Sequence, residues 1–144
     1  MKYMSIALEE AQKAYTEDEV PVGCVITSGG KIVSQSHNTS AREKNALCHA
    51  EIYAINNAIA YLGTKELNDC DLYVTLEPCP MCAGAIINSK IKRVYIGAME
   101  PKSGCFGSVA DFCSVGFNHH PEVYYGINED ECKKILVDFF KNKR

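Results

Sequence analysis

The sequence predicts an α/β protein built on a five-stranded mixed sheet with helices packed against it. Three observations carry that expectation. Short β-branched and aromatic runs alternate along the chain with stretches whose apolar residues recur at helical spacing, and an interleaved order of this kind folds as a sheet with helices laid on it. At 144 residues the chain has the length of one domain, so a single domain over 1–144 is expected. A hydrophobic content of 47%, with no internal repeat or low-complexity linker, suffices for one core.

The elements follow in order. Met4, Leu8, Ala11 and Tyr15 fall at helical spacing and open the chain with an amphipathic helix. Val20 to Thr27 and Lys31 to Ser36 read as strands joined by Ser28-Gly29-Gly30, a hairpin turn. From His49 to about Tyr61 a helix is expected, with Ile52, Ile55 and Ile59 on one face and Gly63 near its end. Asp71 to Leu76 is a strand, Cys79 to Asn88 a helix, Arg93 to Gly97 and Glu122 to Tyr125 strands, and Glu129 to Lys141 a last helix. The loop from Glu100 to Gly116 is the least regular segment, with a short helix expected around Val109 to Cys113. Loops held beside a rigid site often contact substrate.

His49-Ala50-Glu51 and Pro78-Cys79-Pro80-Met81-Cys82 carry the chemistry. One imidazole and two thiolates supply three zinc ligands, and a zinc with three protein ligands keeps its fourth position for water. Zinc lowers the pKa of that water from about 15.7 to near 7, so a hydroxide nucleophile is available at neutral pH. Glu51 stands two residues beyond His49, an offset that turns a helical side chain by about 200°, too far to share the metal comfortably. From an irregular first turn it leans over the bound water instead and shuttles protons. Cys79 and Cys82, three apart at a helix start, point to one face where the dipole favours thiolates, and Pro78 and Pro80 suit a first turn. Both motifs adjoin predicted strands, which places the ligands at a sheet edge, where open α/β sheets form their crevices. The reaction class that follows is hydrolytic deamination of an amino-substituted heterocycle. Water adds to the carbon bearing the amine, Glu51 protonates the adjacent ring nitrogen, and ammonia leaves. Backbone donors near Ala50 or Cys79 are suited to orient the substrate or hydroxide.

His-x-Glu followed by Pro-Cys-x-x-Cys is the signature of the zinc deaminases. Further segments extend the resemblance: Glu19-Val20-Pro21-Val22-Gly23, Asn38, Leu76-Glu77 running into Ala83-Gly84-Ala85, Gly107-Ser108, Phe117-Asn118-His119 and Asp138-Phe139-Phe140. Over nearly its whole length the chain resembles the bacterial tRNA-specific adenosine deaminases. That resemblance implies a three-layer αβα cytidine-deaminase-like fold with helices on both faces of the sheet, one Zn2+ per subunit, and a homodimer. It also implies conversion of the wobble adenosine to inosine in a tRNA anticodon loop, tRNA-Arg with anticodon ACG, with the base flipped into the pocket. By the same resemblance Asn38 contacts the target base. Glu100 stands where the family often has Asp, near the ribose of a flanking nucleotide.

Charge gives the RNA reading local support only. A net charge of -3 argues against a broad basic face. Lys90, Lys92 and Arg93 form one cluster, Lys102 lies in the loop expected to meet substrate, and Lys133, Lys134, Lys141, Lys143 and Arg144 crowd the last helix. Cations at a helix end also suit the dipole without any ligand. Of Phe139 and Phe140, one packs in the core by periodicity, leaving the other, Phe140, to stack on a base. The partner this implies is the anticodon arm of tRNA.

Other readings stay open at this point. Asn38 at a strand end also suits a turn cap. Ile86, Ile87 and Ile91 suit either a dimer interface or a core helix. A free nucleobase or nucleoside, guanine first, is an alternative substrate, and a noncatalytic zinc-stabilised interaction module is an alternative of another class. A closed structural zinc site needs a fourth ligand, and Cys48, the nearest thiol, diverges from its neighbour His49 by about 100° on a helix. Eight cysteines raise a disulfide scaffold, yet no secretory start and no run of about 18 apolar residues is present, so the cytoplasm, reduced thiols and no membrane partner are expected. Cys24, Cys70, Cys105, Cys113 and Cys132 then read as core fillers. His37, His119 and His120 read as surface or hydrogen-bonded histidines.

Overall fold

The structure is a computed structural model and describes residues 1–143; Arg144, one of the C-terminal cations named above, lies outside the described residues. Along the chain come α1 (Lys2–Thr16), β1 (Gly23–Ser28), β2 (Lys31–His37), α2 (Ala50–Leu62), β3 (Cys70–Leu76), α3 (Pro80–Asn88), β4 (Arg93–Ala98), β5 (Glu122–Tyr124) and α4 (Glu129–Lys141). Gly29 and Gly30, both at positive φ, make the tight turn of the β1-β2 hairpin. Gly63 ends α2 in the left-handed region with its N–H on the Ile59 carbonyl.

The five strands form one mixed sheet in the order β2-β1-β3-β4-β5. β1 is antiparallel to β2 and β3, whereas β3-β4 and β4-β5 are parallel pairs. Every strand except β1 therefore points one way, and their carboxyl ends share a rim. Asn38 follows β2 on this rim, Cys79 lies beyond β3 and Glu100 beyond β4. The sheet edge anticipated from the sequence is thus the carboxyl rim of central strand β3, where parallel strands open into a crevice.

Strand alternation divides the core into two layers. Cys24, Ile26, Leu72, Val74, Val94 and Ile96 cluster with Ala50, Ala54, Ala58, Ala83 and Ile86 of α2 and α3. The intervening Val25 and Tyr73 cluster with Met4, Ala7 and Cys132 of α1 and α4. Helices therefore cover both faces, and the architecture is the three-layer αβα arrangement. On the α1/α4 side Tyr73, Tyr95 and Tyr124 lie in register across β3, β4 and β5 and stack with ring centroids 4.5 and 5.0 Å apart.

Helix packing differs from the sequence expectation in which residues face the sheet. On α2 the buried positions are Ala50, Glu51, Ala54, Ile55 and Ala58, with Ile52 and Ile59 only half-buried. An alanine stripe lets the helix lie close to β1 and β2, where Ser34 and Ser36 are also small and buried. On α1 Met4, Ala7, Ala11 and Ala14 are fully buried, while Leu8 and Tyr15 are half-buried. Ile86, Ile87 and Ile91 are buried within the chain, which makes them core residues rather than an interface. No helix forms at Val109 to Cys113; Phe106 and Asp111 make an isolated antiparallel bridge there, among turns. Glu77 draws the N–H groups of Phe106 and Ser108 onto its carboxylate, and Gly107 between them takes φ +135. Within the segment itself the Phe112 N–H goes to the Cys105 carbonyl and the Cys113 N–H to Asp111 Oδ1, not to carbonyls four residues back as a helix requires. Among the described residues no helix is long and apolar enough to cross a membrane.

Close approach of α1 to β1 depends on Gly23, since a Cβ there would fall 1.8 Å from the Ala7 carbonyl oxygen and 2.7 Å from the Ala11 nitrogen. Backbone cannot yield as a side chain can. Gly23→Ala is therefore expected to lower unfolding free energy by about 1–3 kcal/mol, read as a shift in the urea midpoint.

Candidate active site

The ligand residues sit at the two helix starts on the rim. His49 is the residue before α2, in extended conformation with φ -88 and ψ 153, and Cys79 holds the same place before α3, with φ -74 and ψ 175. Because His49 is outside the helix and Glu51 is its second residue, the 200° turn between helical neighbours does not separate them. Both side chains line one cavity. Pro80 fixes the first position of α3, and Cys82 at the third returns toward Cys79.

Sγ of Cys79 lies 3.7 Å and Sγ of Cys82 3.6 Å from His49 Nδ1, and the three ligand atoms fall within 4.8 Å of one another. A tetrahedral zinc with bonds of about 2.05 Å to nitrogen and 2.3 Å to sulfur would hold such atoms roughly 3.6 Å apart. The donor set fits zinc in both chemistry and spacing. Cys48 is not part of the group; its sulfur is engaged with the Tyr53 hydroxyl. Among the described residues no fourth protein ligand closes the shell.

Electrostatics at the helix starts suits a metal. The hydrogen bond from Cys82, with His49 beside it, outweighs burial and holds the Cys79 thiol down to about 4. Cys82, hydrogen-bonded to Cys79 and buried, is pushed well up, so without a metal the pair retains a proton. His49 is raised by its contact with Cys79 against the effect of burial. Burial pushes the Glu51 carboxyl up to about 7, against the lowering influence of its backbone hydrogen bond and of His49.

The cavity above these groups holds about 180 Å³ and is lined by Val20, Val22, Asn38, His49, Glu51 and Glu100 among others. That is less than the ~300–1,000 Å³ of pockets for drug-sized ligands, and it suits a single ring system. Asn38 is buried, and its Oδ1 accepts the N–H of Ala50 at 2.8 Å. This bond fills the donor site at the first residue of α2 and turns the Asn38 amide NH2 away from the helix. The turn-cap alternative is thus realised in another form, a helix cap supplied across space.

Three of the residues expected to contact substrate stand apart from the cavity or have their donor engaged within the chain. The Ala50 N–H is engaged by Asn38 rather than free for a ligand. Lys102 is exposed and outside the cavity lining, and its N–H donates to Glu100 Oε1 at 3.0 Å. Phe140 is exposed beside Val137 and Lys141, also outside the lining, while Phe139 is buried. His37 and His119 take structural roles: His37 bridges Glu10 and Glu17 at 3.0 Å each, and His119 Nε2 meets the Ile91 carbonyl at 2.8 Å. All eight cysteines are free thiols, which removes the disulfide scaffold.

Sequence reasoning gave no role to Glu19 and Glu77, both buried. Glu19 accepts the N–H groups of Ala41 and Arg42; Glu77 accepts those of Glu100, Phe106 and Ser108 and the Ser108 hydroxyl. Glu77 itself lines the cavity, and Glu19 adjoins the lining residue Val20. For Glu77 the sequence signal was a lone carboxylate among uncharged residues, whereas Glu19 ends the acidic stretch Glu17-Asp18-Glu19 and carried no such signal.

An open zinc-ligand set on the carboxyl rim of an αβα sheet, with a buried glutamate beside it, defines a zinc-dependent deaminase domain. The chain belongs to the family described as "Cytidine and deoxycytidylate deaminase zinc-binding region", whose model matches residues 1–98. Within it, the chain is 43% identical over 143 residues to the tRNA-specific adenosine deaminase of Bacillus subtilis, covering 99% of this chain and 89% of that protein. A solved structure from studies of A-to-I editing by tRNA:A34 deaminases at the wobble position of transfer RNA superposes with a TM-score of 0.91 at 43% identity, over 94% of this chain and 99% of the other. Guanine deaminase from Nitrosomonas europaea shares the fold at 23% identity, TM-score 0.76, over 94% of this chain and 81% of the other.

Removing one ligand leaves two, too few for tight binding. Cys82→Ser is expected to lower zinc affinity by more than the ~10–100-fold typical of outer-shell changes, measured as zinc content after dialysis against a competing chelator.

Proposed function

We propose that this chain, as a single domain over residues 1–144, hydrolytically deaminates the wobble adenosine of a tRNA anticodon loop to inosine, in the cytoplasm. The carrying observation is the combination of an open His-Cys-Cys ligand set and a buried carboxyl in one base-sized cavity, in a chain 43% identical to a tRNA-specific adenosine deaminase almost end to end. Likeness to guanine deaminase at 23% identity speaks for the fold alone. The cavity beside the ligand set counts against a noncatalytic zinc module.

In this reading His49, Cys79 and Cys82 hold the zinc. When bound, zinc supplies the Lewis acidity that makes a water nucleophilic at neutral pH. Glu51 takes one proton from the attacking water and gives it to the ring nitrogen beside the attacked carbon, then takes the remaining hydroxyl proton of the adduct and gives it to the departing amine, which leaves as ammonia while the C–O bond becomes the carbonyl. Its burial raises the carboxyl toward the pH at which both transfers run. Asn38, its oxygen committed to Ala50, offers an NH2 donor to acceptor atoms on the base edge. A base in a stacked loop cannot reach a recess this deep, so the nucleotide is extruded from the stack before reaction.

Contacts beyond the base fall to the cavity mouth and the C-terminal helix. Glu100, which lines the cavity, accepts a ribose hydroxyl of a flanking nucleotide. Lys102 meets phosphate. Lys143 pairs with Asp18, two residues before the cavity-lining Val20, which brings the end of α4 to the rim end of the molecule and supports Phe140 as a stacking surface for the anticodon arm. Exposed Val109, Val115 and Phe117 in the long loop give a homodimer an apolar surface to bury.

Inosine formation on an ACG anticodon stem-loop, run beside free guanine, adenosine and cytidine, tests the substrate. Product from the stem-loop alone is expected, and ammonia from a free base with none from RNA would replace this reading. Glu51→Gln should retain zinc and lose about 10²–10⁴-fold in kcat. Sedimentation at micromolar concentration is expected to show a dimer, and a monomer would remove that part.

A further inference from the structure

Glu77 is a buried carboxylate with no cationic partner among the described residues. An unpaired charge out of water is costly unless hydrogen bonds replace its hydration. Here they come from a single loop. Oε1 accepts the Glu100 N–H at 2.9 Å and the Ser108 hydroxyl; Oε2 accepts the Phe106 N–H at 3.0 Å and the Ser108 N–H at 3.1 Å. Gly104 presses against the same carboxylate, where a Cβ would stand 2.2 Å from its carbon and Oε1. The loop so gathered supplies Glu100 and Ser103 to the cavity lining, opposite Asn38 and Ser40.

We propose that Glu77 is the positioning residue for the substrate-facing wall of this site: its carboxylate fixes the 100–108 loop, and through it Glu100, at the separation from Asn38 and Glu51 that the substrate requires. Glu77 moves no proton in the reaction. The inference rests on the proposed function, because a wall is defined by what it contacts. It explains why a segment without regular structure can serve as one side of a binding site. Four donors converging on two oxygens leave the loop one arrangement, and Gly104 permits the close approach.

In Glu77→Gln one oxygen becomes an NH2 while size is kept: placed at the Oε1 position it opposes the Glu100 N–H while the Ser108 hydroxyl can reverse to accept from it, and placed at the Oε2 position it opposes the N–H groups of Phe106 and Ser108. Stem-loop kinetics are expected to show KM raised about 10-fold or more with kcat changed less than about 3-fold, because binding common to ground and transition states is lost. Zinc content should stay that of wild type. Hydrogen exchange at the amides of Glu100, Phe106 and Ser108 should accelerate, with α2 amides unchanged. Ser108→Ala, which removes one donor, should raise KM in the same direction by less. Gly104→Ala keeps the carboxylate but forces the loop off it, and is expected to reproduce the KM effect should Glu77→Gln fail to fold. Unchanged KM in these variants, or loss of zinc with kcat falling instead, overturns the inference. Wild-type protein that edits no stem-loop overturns the functional reading and this inference together, whereas an editing wild type matched in KM by Glu77→Gln overturns the inference alone.

Discussion

Convergence of two helix starts on one sheet rim is the constraint on which the rest of the molecule depends. β2 and β3 run in the same direction although β1 lies between them, so the chain leaves both on the same side and enters α2 and α3 there. His49 and Cys79 occupy equivalent extended positions just before their helices. At that position a side chain projects back past the helix end, into the positive end of the dipole. Thiolates and a metal-binding imidazole are stabilised by the same field, and the alanine stripe of α2 lets the two starts come within ligand distance. Larger residues at Ala50, Ala54 or Ala58 would lift the helix and open the triangle.

A second consequence concerns charge. The site gathers Glu51, Glu77 and two cysteines within a mostly buried region, and the structure meets the cost in different ways. Glu77 and Glu19 are solvated by backbone N–H groups. Glu51 has fewer such donors, so burial acts on it with less opposition and raises its carboxyl. Two buried glutamates near one cavity are thereby set apart by environment alone: one has its oxygens engaged by a loop, the other has its carboxyl raised by burial.

Much of this was legible beforehand because it is local. Helix limits near Gly63, the Gly29-Gly30 hairpin and the full extent of α4 follow from turn chemistry and periodicity. The ligand spacing and the three-layer fold were likewise readable, the second through resemblance. What misled was the assumption that isoleucines mark the buried side of α2. Of the three isoleucines only Ile55 is buried there; Ala50, Ala54 and Ala58 fill the rest of that side, where the helix packs close to β1 and β2. The helix expected at Val109 to Cys113 failed because other acceptors took its amides: the Cys105 carbonyl holds the Phe112 N–H and the Asp111 side chain the Cys113 N–H.

By itself the sequence determined the chemistry available: three soft or borderline ligands, a free carboxylate two residues from one of them, and strands and helices in an order that makes an α/β sheet. Tertiary structure decided which groups meet. It took the Ala50 N–H for Asn38, set Lys102 and Phe140 outside the cavity, buried Ile86, Ile87 and Ile91, and gave Glu77 a loop to hold. Ligand type and helix limits depend on residues close in the chain, whereas donor pairing and cavity walls depend on atoms 12 to 31 residues apart along it, whose meeting is fixed only when the sheet order is.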